Sequence, residues 1–146
     1  MALLLLLMSI ISTSAQTINK DSVVSEKFNW NYVIDAIAKV ESGGNPKAVS
    51  SNGLYVGLLQ ISTGCVKQCN IILSRKGSKK RFTNNDRYNA EKSKEMFVIM
   101  QNEYNPECNI EKAIRMWNGG PKYKIASTNG YYRKVMRHYL AKTENK

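Results

Sequence analysis

No Asp or Glu occurs between Ser42 and Asn85, so that whole stretch offers no carboxylate to act as a base or a nucleophile. Acidic residues are scarce throughout: 11 stand against 22 Lys and Arg, leaving a net charge of +11 that calls for a polyanionic partner. Cysteine is scarce too. Cys65, Cys69 and Cys108 permit at most one intramolecular disulfide, which excludes the even framework of a stapled secreted scaffold. A Cys-x3-Cys pair with one distant Cys and the lone His138 also lacks the second half of a zinc pattern, so buried or incidentally paired thiols are expected and no metal or cofactor is called for.

The first fifteen residues lack any charge. Leu3 to Ile11 form an apolar run of about ten residues, against roughly twenty needed to span a bilayer, and Thr13-Ser14-Ala15 supplies small residues for a cleavage site. Residues 1–15 are therefore expected to be a signal peptide, residues 16–27 a polar leader, and residues 28–146 one domain of an exported protein, periplasmic or extracellular. Export favours the acidic cell envelope over nucleic acid as the polyanion. Arg75, Lys76, Lys79, Lys80 and Arg81, five cations in seven residues, are the expected contact for anionic envelope polymers.

What the chain does contain is helical pattern. With 42% hydrophobic residues it can bury a real core, and a monomer is expected. Val33, Ile34, Ile37 and Ala38 fall at helical spacing, predicting a helix over 28–40 that stops at Ser42-Gly43-Gly44-Asn45-Pro46. Residues 47–61 read as a turn with at most a small hairpin, followed by a helix over 65–73. The longest helical pattern runs over 86–104, a shorter one over 110–117, and the last over about 131–141. The fold class is mainly α, about five helices with almost no sheet.

Glu41 falls at the first helix's last turn, where the partial negative charge of the helix end disfavours a carboxylate and favours its protonated form. Cutting a glycosidic bond needs such a proton-holding acid in a poorly solvated place. Taken alone, a solvated helix-terminal Glu is the better reading. The residues downstream change that balance.

Glu41-Ser42-Gly43-Gly44-Asn45-Pro46, Ser50, Gly57-Leu58-Leu59-Gln60, Trp117-Asn118-Gly119-Gly120 and Gly130-Tyr131-Tyr132-Arg133-Lys134-Val135 follow one another in an order that resembles the lytic transglycosylases of the SLT, lysozyme-like family. The resemblance covers residues 30–140. It implies a lysozyme-like single domain, a peptidoglycan glycan-strand substrate, and Glu41 as acid/base. It also implies that Ser50 and Gln60 line a cleft, Gly57 and Leu58 shape its floor, and Asn118 and Tyr131 face the sugar or Glu41, with Tyr132 competing for the place of Tyr131. Three positions depart from the family pattern: one extra residue separates Gly53 from Gly57, Leu59 replaces Met, and Trp117 replaces Tyr. Read without the family, Gly53 and Gly57 serve turns, Trp117 is core, and Asn118 caps its helix.

A hydrolase needs a second carboxylate roughly 5 to 9.5 Å from the acid. Beyond the acid-free stretch Asp86, Glu91 and Glu95 remain as candidates, and they read more simply as the solvated face of a helix. A single carboxylate implies the family's intramolecular cut, which leaves 1,6-anhydromuramoyl ends. The alternatives are a lysozyme-type hydrolase with a distant second carboxylate and a wall-binding module that does not cut.

Overall fold

A computed structural model describes residues 28–144; the expected signal segment 1–15 and leader 16–27 lie outside the described residues. Five α-helices make up most of the fold: α1 (Asn31–Ser42), α2 (Thr63–Arg75), α3 (Ala90–Tyr104), α4 (Ile110–Gly119) and α5 (Ile125–Thr143). A 3-10 turn, Asn84–Tyr88, precedes α3. The expected hairpin is reduced to two isolated antiparallel bridges, Val49 with Val56 and Val56 with Ile61.

α1 begins three residues later than its pattern predicts. The Asn29 side chain accepts the Asn31 N–H at 3.0 Å, and Phe28 turns edge-on to the buried Trp30 instead of joining the helix. Its far end runs on through Glu41 to Ser42, where Gly43, at φ 66°, lets Gly44 N–H return to Ala38 O at 3.1 Å. α2 is longer than expected because Ser62 caps it by accepting Cys65 N–H at 3.2 Å. α3 is shorter. Asn89 is extended and accepts Lys92 N–H, so residues 84–88 form a separate turn rather than the helix's first turns.

The largest difference is α5, which with 19 residues is longer than the 15-residue α3 expected to be the longest. Residues 125–130 contain Ser127, Thr128, Asn129 and Gly130, weak helix formers with no periodic apolar signal. Tertiary contacts override that propensity. Arg115 on α4, only 4% exposed, pairs with Glu111 at 2.7 Å and donates to Ile125 O, Thr128 Oγ1 and Asn129 Oδ1 at 3.0 to 3.2 Å. Its guanidinium also lies 4.3 Å from the centre of the Tyr132 ring. Arg115→Met should therefore cost about 2–3 kcal/mol in urea unfolding and fray α5 first, because four partners lose their donor at a buried site.

The core lies where α1 meets α4 and α5, with α3 closing it: Ile37, Phe97, Ile114 and Val135 are all fully buried. All three cysteines are free thiols. Cys69 is buried with its Sγ 3.6 Å from Met96 O. Among the described residues no helix is long and apolar enough to cross a membrane.

Candidate active site

Because α1 continues one turn past its apolar stripe, Glu41 projects from the helix end into a cleft of about 500 Å³. The opposite wall is the loop between α1 and α2, from Ser50 to Ser62, and the floor comes from Met100 on α3 and Met116 and Trp117 on α4. The Trp117 indole N–H donates to Leu59 O at 3.1 Å, and its ring packs 5.0 Å from Phe97, so this side chain is both core and cleft surface.

Glu41 is half-buried and has one side-chain partner: the Tyr131 hydroxyl donates to its Oε1 at 2.6 Å. Burial raises the Glu41 pKa, and the Tyr131 hydrogen bond partly opposes that rise. The Tyr131 phenol is pushed well above its usual range, first by burial and then by the carboxylate beside it. It is therefore a fixed donor that stays protonated. Tyr131→Phe is expected to raise the Glu41 pKa further, because the charged form loses its hydrogen bond; a ¹³C titration of the Glu41 carboxyl would register an upward shift.

Of the residues the sequence singles out, Glu41, Ser50, Gln60 and Asn118 line this cleft together, and Tyr131 reaches it through Glu41. Tyr132 lies instead against Arg115. The extra residue before Gly57 does not displace Ser50. It is taken up in the turn 50–55, where Ser50 N–H donates to Tyr55 O at 2.9 Å, Ser50 Oγ accepts Tyr55 N–H at 3.0 Å and donates to Asn52 Oδ1 at 2.8 Å. Gln60 sits at φ 49° and spends its amide N–H on Gly57 O at 3.0 Å.

Gly57 and Leu58 are not on the cleft surface. Both are buried behind it, and Leu58 contributes its carbonyl, which accepts the Ser42 hydroxyl at 2.7 Å and ties the loop to the end of α1. Gly57 lies against the backbone of Arg87: a Cβ there would stand 1.8 Å from Arg87 O. The Arg87 side chain, also buried, donates to Asn84 O and Ile61 O at 2.9 and 3.1 Å, fixing the loop from the other side. Asn118 is exposed in the last turn of α4, and the cap falls on Gly120, at φ 75° and ψ 177°, rather than on Asn118.

Other cleft residues carried no sequence signal. Tyr55, Ser62, Cys65 and Met116 reach the surface only because the loop and the first turn of α2 fold over it. Glu41 is the one carboxylate lining the cleft among the described residues. Asp86 caps the 3-10 turn by accepting Thr83 N–H and pairs with Lys92, contacts that hold it ionised below the usual carboxylate range. Glu91 pairs with Lys94, and Glu95 with Lys80.

The helical architecture and this cleft agree with what sequence comparison finds. No curated protein and no solved structure matches the chain. The family model described as Transglycosylase SLT domain does match, over residues 16–139, from ahead of α1 to within α5. A match over most of the chain, on a mainly helical lysozyme-like domain, establishes that the chain belongs to the transglycosylase SLT domain family and has a peptidoglycan-acting function of lytic transglycosylase type.

Proposed function

We propose that this protein cuts the β-1,4 bond between N-acetylmuramic acid and N-acetylglucosamine and leaves 1,6-anhydromuramoyl ends, with Glu41 as its single acid/base. The observation that carries this reading is the solitary carboxylate. Glu41 lines the cleft with no second Asp or Glu beside it among the described residues, and burial favours its protonated form.

In the first step Glu41 gives its proton to the leaving glycosidic oxygen, and positive charge grows at the muramic anomeric carbon. The substrate's own N-acetyl group steadies that charge. Glu41, now a carboxylate, accepts the proton of the muramic 6-hydroxyl as that oxygen closes on the anomeric carbon. The first proton leaves on the new N-acetylglucosamine hydroxyl, the 6-hydroxyl proton reprotonates Glu41, and no water is consumed. Tyr131 holds the carboxylate in place throughout, since its hydroxyl stays a donor in both protonation states of Glu41. Ser50, Gln60 and Asn118 are the polar groups placed to meet the sugars. Such a substrate puts the site of action outside the cytoplasm.

Mass spectrometry of peptidoglycan fragments after digestion tests the reading. Anhydro ends are expected. Reducing ends one water heavier would instead mean a hydrolase recruiting a distant carboxylate, and intact glycan would mean a binding module.

A further inference from the structure

The basic run that the sequence offers as the polyanion contact is partly paired within the fold. Arg75 and Lys76 pair with Glu103, at 2.5 and 3.3 Å, and Lys80 pairs with Glu95. Arg81 turns its guanidinium back onto the carbonyls of Ser78 and Lys80. Two acids on α3, Glu95 and Glu103, thus pair three of the loop's five cations before any partner arrives, and Lys79 and Arg81 have no ion pair among the described residues.

Less of the charge is paired at α5. Residues 112–143 contain no Asp or Glu but eight Lys and Arg. Lys112, Arg115 and Lys142 find acids elsewhere, in Glu107, Glu111 and Asp35. The remaining five, Lys122, Lys124, Arg133, Lys134 and Arg137, are exposed and have no ion pair among the described residues. Arg133 and Arg137 stand one turn apart with Lys134 beside them, on the side of α5 away from Val135, which faces the core. Like charges at this spacing repel and cost helix stability unless an anion lies over them. Lys122 and Lys124 extend the same charge towards Gly120 and Pro121 at the end of the cleft.

We infer that the solvent face of α5 is a second peptidoglycan contact, which takes the carboxylates of stem peptides on a strand other than the one in the cleft. The inference rests on peptidoglycan being the substrate, and charge complementarity selects its carboxylates: the glycan is neutral where the cleft holds it, and the peptides carry the wall's own repeated negative charge. Tyr131 projects from α5 to Glu41 while Arg133 and Arg137 point elsewhere on the helix, so the two contacts engage different strands. The enzyme then stays on the mesh between cuts.

The test is binding to purified sacculi, using the full chain carrying Glu41→Gln so that the polymer survives. Adding Arg133→Gln, Lys134→Gln and Arg137→Gln should weaken binding about tenfold at low salt, the size expected of three exposed charge contacts, and flatten its salt dependence. Lys79→Gln with Lys80→Gln and Arg81→Gln should change it less than twofold. Sacculi whose carboxyls have been amidated with glycinamide should bind both proteins equally weakly. An unchanged α5 variant, an equal loss from the loop variant, indifference to amidation, or tighter retention on anionic vesicles or duplex DNA would each overturn the inference. Cutting is scored separately on the wild type: glycan left intact while the α5 variant still loses binding would sink the cutting mechanism and leave this contact standing.

Discussion

Glu41→Gln should leave a folded protein that has lost cutting by roughly a thousandfold or more, the range that a general acid contributes. The amide keeps the size of the side chain and can still accept the Tyr131 hydrogen bond, but has no proton to transfer. Turnover of purified peptidoglycan, followed by release of soluble fragments, measures the loss; activity within tenfold of wild type would remove Glu41 from the mechanism. The same substitution carries a stability signature. Burial raises the Glu41 pKa, so the native state holds this proton at a pH where the unfolded chain has released it. Wild-type stability therefore falls as pH rises from the ordinary carboxylate range through the raised one, and Glu41→Gln escapes that fall. The variant's melting temperature, relative to wild type, should be higher at neutral pH than at pH 4. A catalytic loss accompanied by that gain separates a buried acid from a damaged fold.

The second large effect is expected at Gly57, on stability. Ala at this position would have to hold φ 82° while its Cβ met Arg87 O at 1.8 Å, and backbone on both sides prevents an easy retreat. Positive φ alone costs about 1–2 kcal/mol for a residue with a side chain, and displacing the 3-10 turn brings the total to about 4 kcal/mol, much of a small domain's reserve. Gly53→Ala supplies the control. Gly53 has φ 71° but nothing within 4 Å of a Cβ, so only the strain remains and about 1 kcal/mol should be lost. Urea denaturation of the pair isolates the clash. Equal losses would mean that the contact with Arg87 does not constrain the loop.

Much of this site was legible because its parts are local. The end of α1 is written in Glu41-Ser42-Gly43-Gly44, and Gly43 does what a glycine after a helix is expected to do. That Ser50, Gln60 and Asn118 meet at one cleft was implied by the resemblance to the family, whose motifs they follow in order. What sequence left open depends on three-dimensional register. Tyr131 and Tyr132 differ by one step of a helix, about 100° of rotation, and only the packing of α5 on α1 and α4 decides which one reaches Glu41. The first turns of α5 were hidden because the contacts that stabilise them come from Arg115 on another helix. Gly57 and Leu58 illustrate a further ambiguity: a motif residue can serve a cleft by standing behind it, and spacing does not separate support from surface. The charge of 75–81 was plain in sequence, but the pairing of three of its cations with Glu95 and Glu103 was not, since those acids lie on a helix beyond an intervening turn.

The bond between Tyr131 and Glu41 joins positions 90 residues apart. During synthesis, a chain that has emerged from the ribosome as far as α4 carries Glu41 and most of the residues that line the cleft, but neither Tyr131 nor the Val135 that completes the core. The carboxyl's one side-chain partner and the last wall of the core are thus delivered together, by the final helix.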